Sequence, residues 1–557
     1  MRLLSVLLLA AVALNAEEKV DLYTIHRIKA EAFQNSKVME HAFYLTDVHG
    51  PRLTGSPGIR GAAEWVLGRL REWGLQDPKL EKWGPFGRGW SNVRFTAHLK
   101  EPQYSPLIGF ARPWSPSTNG PVSGDPILAI LRTEADFDKF KDKLKGKIVL
   151  IEPPRALTPI TSAPNRRFSE SELDAVAQAP DPAQRFPFVM PIPNQPAFGT
   201  PQGPGGPPPG PVGPVFAAPS PGPSGQPFDR EGQRRFRSKL NQFLTQEGVL
   251  VAVSPGDRTD GGTVRATAAG SREEKDPLPP PSVALTPEHY NRLARLIERK
   301  IPVTLEFDIQ NRFHEEDKDS FNVIAEIPGD RKKDELVMLG AHFDSWTGGT
   351  GATDNAAGSV VVLEAIRILK ALDLKMPRTV RLALWTGEEQ GLLGSRAYVK
   401  DHFADRETMT LKPEHTKLSG YFNLDNGTGK IRGVYLQGND MIRPIFEAWL
   451  GPFKDLGATT TTIRSTSGTD HLSFDAVGLP GFQFVQDPVE YSSRSHHTNM
   501  DLYDRLQAGD LIQASAIMAS FVYHTAIREE MLPRRPLPKP EPRGRPGDRP
   551  RTGASDN

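Results

Sequence analysis

"GAHFDSWTGGTGATDNAAG", Gly340 to Gly358, follows directly on the apolar run Leu336-Val337-Met338-Leu339. The run reads as a buried strand, and the quoted stretch as the loop that leaves it. That loop carries His342, Asp344 and Asp354 among residues with almost no side-chain bulk. Glycines suit a turn that needs positive φ, but a purely structural loop has no use for two carboxylates and an imidazole beside the core. A metal ion would use all of them.

Outward from this loop the chain alternates strand and helix. Strands are expected at 336–341, 379–386, 418–424 and 481–485, with an apolar-faced helix from Ala356 to Leu372 built on Val360, Val361, Leu363, Ile366 and Leu369. Such alternation predicts an α/β fold, a largely parallel mixed sheet flanked by helices. In open sheets of that kind, sites form where loops leave the carboxyl ends of strands. Four successive strand ends here carry acid or imidazole. They are His342 to Asp354, then Glu388 and Glu389 in "VRLALWTGEEQGLLGS", Asp425 in "GYFNLDNGTG", and His496, His497 and Asp501 in "SRSHHTNMD". Any one of them passes as a solvated surface; four in order do not.

Further out, "NSKVMEHAFYLTDVHGPRLTGSPGIRGAAEWVLGRLREWGL" reads as two amphipathic helices with a Gly/Pro link, and "NVRFTAHL" as a strand. From about Pro121 the texture changes. "LKGKIVLIEP" is a strand behind a turn, and "NQFLTQEGVLVAVSPG" a helix running into a strand. Between them Thr200 to Pro227 is a Pro/Gly-rich excursion whose composition cannot build a packed core. The segment 531–557 is Pro-rich and basic and is expected to be a disordered tail.

The chain has 557 residues, 38% of them apolar, and a formal charge of +1, which gives no general affinity for nucleic acid. Met1-Arg2 followed by the apolar run Leu3 to Leu14 reads as a cleavable secretory signal over residues 1–16, too short to span a bilayer. The expected location is therefore secreted or periplasmic, with no stable membrane insertion. There are no cysteines, so a metal must be held by His, Asp and Glu.

The ordered His, Asp, Glu-Glu, Asp, His set resembles the M28 family of dinuclear zinc peptidases, and more closely its carboxypeptidase Q-like branch. The likeness covers about Asn322 to Tyr523; "GPRLTGSPG" is similar to the family's opening segment and "LKGKIVLI" to the start of an inserted protease-associated (PA) domain. The resemblance implies a zinc exopeptidase fold, with residues 17–120 and 306–530 in the peptidase domain and 121–305 in a β-rich PA insertion. It implies two Zn2+ ions bridged by Asp354, one completed by His342 and Asp425, the other by Glu389 and His497. It implies Glu388 as general base, Asp344 as the acceptor that orients His342, and a cis peptide at Asp354-Asn355. His496 stands where many relatives place a tyrosine and is the candidate oxyanion donor. Asp470 and His471 in "SGTDHLSF" would shape the pocket, while His289, His402 and His415 read as solvated. The expected activity is hydrolysis of short peptides; the alternatives are a mononuclear glutaminyl cyclase-like enzyme and an inactive binding protein on the same fold.

Overall fold

The computed structural model describes residues 18–161, 163–178, 230–256 and 261–540. The expected leader, the excursion at 200–227 and the chain beyond 540 lie outside the described residues.

The body is an eight-stranded mixed sheet. Its strands are β1 (Gln76–Trp83), β2 (Ser320–Ile327), β3 (Lys332–His342), β4 (Arg378–Trp385), β5 (Leu418–Asn423), β6 (Ile431–Tyr435), β7 (Thr460–Thr462) and β8 (Gly481–Gln486). They lie in the order β1-β2-β4-β3-β5-β8-β6-β7. The central four, β4-β3-β5-β8, are mutually parallel, and β1, β2 and β6 join antiparallel. The four strands expected from sequence are these central four. Their near-continuous burial matches a parallel sheet covered on both faces.

Three helices matter most to that cover: α1 (Leu22–Asn35), α2 (Ala357–Ala371) and α3 (Ala508–Ile527). Helix α2 is the expected helix after the glycine loop, and it is buried almost all round rather than on one face. Helix α3 is likewise buried along most of its length, in the same apolar cluster as α2 and β3. The N-terminal helices of the sequence reading appear at Val38–Phe43 and Pro57–Glu72. Helix α1 precedes them and was not assigned from sequence. It is capped by Asp21, whose side chain accepts from Thr24 N at 2.9 Å while its own N–H donates to His524 Nε2 of α3 at 3.1 Å.

A second unit with its own apolar core interrupts the body between β1 and β2. It holds a four-stranded and a five-stranded sheet. The strand at Gly89–Glu101 pairs with Thr304–His314, on either side of the expected insertion at 121–305, and Gly109–Ala111 pairs with Ser282–Leu285. Antiparallel partners some two hundred residues apart are a pairing that local sequence pattern does not encode.

The segment expected as a free tail starts as a docked strap. Leu532 is only 2% exposed, its N–H donates to Ser419 Oγ at 3.2 Å, and Arg534 donates to the carbonyl of His415 at 2.9 Å. Among the described residues no helix is long and apolar enough to cross a membrane.

Candidate metal centre

His342 is the last residue of β3, Glu388 and Glu389 follow β4, Asp425 follows β5, and His496 and His497 lie beyond β8. The parallel core of the sheet therefore delivers them to one edge. His342 Nε2 is 3.2 Å from Asp354 Oδ1 and 3.3 Å from Asp425 Oδ1. His497 Nε2 is 3.0 Å from Asp354 Oδ2 and 2.9 Å from Glu389 Oε2. Asp354 thus turns one oxygen toward each of two imidazole–carboxylate sets. His496 is adjacent to the second set, with Nε2 3.7 Å from Asp354 Oδ2 and its ring stacked on that of His497 at 3.8 Å.

These residues fit divalent cations. Glu389 Oε1 is buried with no hydrogen-bond partner, and Asp354 Oδ2 and Asp425 Oδ1 are met by imidazole nitrogens at 3.0 and 3.3 Å without a hydrogen bond of good geometry; buried carboxylate oxygens in such surroundings are costly unless a cation or donor meets them. His and Asp atoms converge within 4.8 Å in two overlapping groups, His342-Asp354-Asp425 and Asp354-His496-His497, and Glu389 adjoins the second through His497. The electrostatics agree. Burial disfavours a proton on His497, yet Glu389 and Asp354 overcome it and raise the ring to about 9. Burial also opposes the proton on His342, and Asp425 and Glu388 pull it well above the usual histidine range. Glu389 is pushed up to about 7 by burial against the lowering influence of His497. Burial, helped by Asp425 and Asp470, raises Glu388 well above a normal carboxylate. Negative charge exceeds what the local donors neutralise.

The glycine loop now has a physical reason. Gly351 sits at φ +70°, and a Cβ there would come within 2.3 Å of Ser345 Cβ; at Gly358 a Cβ would meet Leu424 O at 2.1 Å. Asp354-Asn355 is a cis peptide. Asn355 then accepts from Gly358 N and donates to Leu424 O, both at 2.9 Å, pinning the loop to the end of β5.

Three side chains hold this geometry. Asp344 was expected to accept from His342 through its carboxylate, but His342 Nδ1 lies 3.0 Å from the Asp344 backbone carbonyl and 3.8 Å from the carboxylate oxygen. The carboxylate is engaged elsewhere: it accepts from Thr54 Oγ1 at 3.0 Å, Glu388 N at 3.2 Å and Glu389 N at 3.3 Å, and so fixes the Glu-Glu turn. Asp501 accepts from Thr353 Oγ1 at 2.8 Å and Asp354 N at 3.2 Å. Arg52, fully buried in "GPRLTGSPG", donates to the carbonyls of Phe343, Thr350 and Gly351 at 2.8–2.9 Å. The sequence reading gave Arg52 no role and Asp501 only a place at a strand end, because a backbone-clasping role leaves no spacing signal.

Arg265, also unforeseen, comes from the second unit and places Nη2 2.5 Å from His497 Nδ1. Asp470 is buried behind the site, hydrogen-bonded by Ser395 and raised by burial to about 7, while burial depresses His471 to about 4. Neither joins the cluster. Of the histidines expected to be solvated, His415 is buried against Val477 O at 2.9 Å, His402 is held 2.7 Å from Glu81, and His289 accepts from Ile108 N at 2.9 Å.

A model of Peptidase family M28 matches residues 322–522. Carboxypeptidase Q of Bos taurus is 32% identical over 254 residues, 46% of this chain and 51% of that protein. Carboxypeptidase Q of Homo sapiens is 30% identical over 266 residues, 48% of this chain and 54% of that protein. The matches span about half the length of these relatives. Among solved structures, a peptidase M28 precursor from Shewanella amazonensis SB2B overlaps with a TM-score of 0.60 at 22% identity, covering 93% of this chain and 98% of the other. A zinc aminopeptidase from Bacillus subtilis overlaps with a TM-score of 0.52 at 18% identity, covering 88% and 95%. Both overlaps place the mixed α/β sheet in a known fold.

Proposed function

Residues 322–522 match the model of Peptidase family M28, and from that premise we propose that the protein is an exported zinc exopeptidase acting on short peptides. The observation that carries the reading is Asp354, one oxygen 3.2 Å from His342 and the other 3.0 Å from His497. A carboxylate shared in this way suits two cations. His342, Asp354 and Asp425 would hold one zinc, and Asp354, Glu389 and His497 the other. Such a pair supplies Lewis acidity to polarise a carbonyl and to activate water.

The chain's own groups do the rest. Glu388, its backbone held by Asp344, takes the proton of the attacking water and passes it to the leaving amine. His496, a third exposed at the edge of the cluster, donates to the oxyanion that develops on the carbonyl. The second unit is read as a PA domain inserted in the peptidase, and Met1 to Ala16 as the export signal.

Elemental analysis of the purified protein is expected to give close to two zincs per chain, with peptide hydrolysis lost to a chelator and restored by zinc. A reproducible value near one, with Asp354→Ala still retaining metal, would turn the reading to a mononuclear cyclase-like enzyme. Two zincs without hydrolysis of any short peptide would leave a binding protein.

A further inference from the structure

Between Ile148–Leu150 and Val251–Pro255, neighbouring parallel strands of the second unit, the chain leaves its sheet and lays an arm on the body. The arm holds a short helix, Glu170–Ala177, opened by a capping box of Ser169 and Glu172. Phe168, Leu173 and Val176 are buried there against Val485 of β8. Polar contacts fasten the same place. Asp487, directly after β8 and fully buried, accepts from Phe168 N, Arg167 Nη1 and Arg432 Nη1, each at 3.0 Å. Arg464 donates to Ala175 O at 2.8 Å.

The docking matters because of where the chain goes next. Two residues beyond Asp487, Val489 has φ +44°, in the left-handed region that a β-branched side chain disfavours. Arg166 of the arm holds it there: the Arg166 N–H donates to Val489 O at 3.2 Å, and Val489 N donates to Arg166 O at 2.8 Å. A tight turn follows, in which Arg494 N donates to Glu490 O and His496 N to Tyr491 O, both at 2.9 Å. Ser493 Oγ donates back to Pro164 O of the arm at 3.0 Å. The turn ends on His497, itself at φ +62°. A second strip of the insertion holds the far side, where Asn499 N donates to Val264 O at 3.1 Å. Of the five proposed ligands His497 alone rides on this loop; His342 ends β3 and Asp425 follows β5.

We propose that the arm is a clasp on the entry to the His497 loop, with Phe168 a positioning residue for the zinc held by Glu389 and His497 and not for the zinc held by His342 and Asp425. Without the clasp Val489 relaxes toward negative φ and carries His497 away from Glu389. This rests on the two-zinc reading above.

The test titrates zinc against a chelator of known affinity on the full chain, unaltered and as Phe168→Ala, Phe168→Leu, Val489→Gly and the Phe168→Ala/Val489→Gly pair. Phe168→Ala is expected to weaken one zinc about 10–100-fold, the range for groups that support a ligand, and to leave the other unchanged. The unchanged zinc reports that the body is folded. Phe168→Leu, which keeps most of the apolar bulk, recovers most of the loss. Glycine carries no penalty at positive φ, so the loss is smaller when Val489→Gly is present. In a Glu389→Gln background Phe168→Ala leaves the remaining zinc untouched. Both zincs weakened alike, neither weakened, a loss that Val489→Gly does not reduce, or one that persists beside Glu389→Gln overturns the clasp and leaves the peptidase reading standing. Fewer than two zincs on the unaltered protein overturns both.

Discussion

Glu388 and Glu389 are neighbours whose surroundings differ. Glu389 Oε2 meets His497 Nε2 at 2.9 Å and Oε1 has no hydrogen-bond partner, the arrangement of a ligand. Asp344 holds both backbone N–H groups, at 3.2 and 3.3 Å, and neither glutamate is in the two groups of convergent ligand atoms; what separates them is that Glu389, and not Glu388, pairs with a ligand imidazole. Glu388→Gln is therefore expected to keep both zincs and lose about two to four orders of magnitude in kcat. Glu389→Gln is expected to lose zinc, with activity partly restored by added metal. Metal content and kcat on both variants decide the assignment, and the opposite pattern means the two roles are exchanged. That His342, Asp354, Glu389, Asp425 and His497 would meet was legible from acid and imidazole at successive strand ends, while their division into two ligand sets came from the family resemblance and is what these variants test. Arg52, Asp501 and Arg265 were not. Each acts on backbone or ring atoms from a distant segment, and an isolated Arg or Asp in a loop is ordinarily solvated.

At the scale of elements, α2 shows how the sheet's cover is fastened. Glu364 is fully buried on that helix, with His41 Nε2 at 3.5 Å and Arg367 at 2.9 Å, which in turn reaches Glu31 of α1 at 2.6 Å. Burial raises the Glu364 carboxyl, but His41 and Arg367 more than offset it and leave it below its ordinary value. A depressed carboxylate stabilises the fold above its unfolded pKa of about 4.3, and that contribution is lost as pH falls through the folded value. Glu364→Gln is expected to cost about 2–4 kcal/mol at pH 7, with the gap to the unaltered protein narrowing below about pH 4. Denaturant midpoints at pH 7 and pH 3.5 check this; a gap that widens in acid would contradict it. The strands β3, β4, β5 and β8 and helix α2 could be read in sequence, since their apolar runs are long and the turns between them well marked. The pairing of the second unit's outer strands could not, because their partners lie some two hundred residues away.

For the whole molecule, the strap at 531–540 is part of the fold, held by Leu532 and Arg534 against β5 and its approach. Leu532→Ala is expected to cost about 2–4 kcal/mol in unfolding free energy while leaving the metal content unchanged. A change under ~0.5 kcal/mol would mean the strap contributes no packing. The body as a whole is closed by contacts between α1 and α3. Besides the Asp21 N–H to His524 bond, Tyr523 OH donates to Asp21 Oδ2 at 3.0 Å, across some five hundred residues of chain. That closure bears on biosynthesis. At roughly 5–20 residues per second, a ribosome needs about half a minute to two minutes for a chain of this length. All five side chains read as zinc ligands emerge before α3, whose burial against α2 and β3 completes the wall behind them. A nascent chain thus carries all five proposed ligands before it has the wall that backs them, and on the peptidase reading hydrolysis is expected only once synthesis is finished.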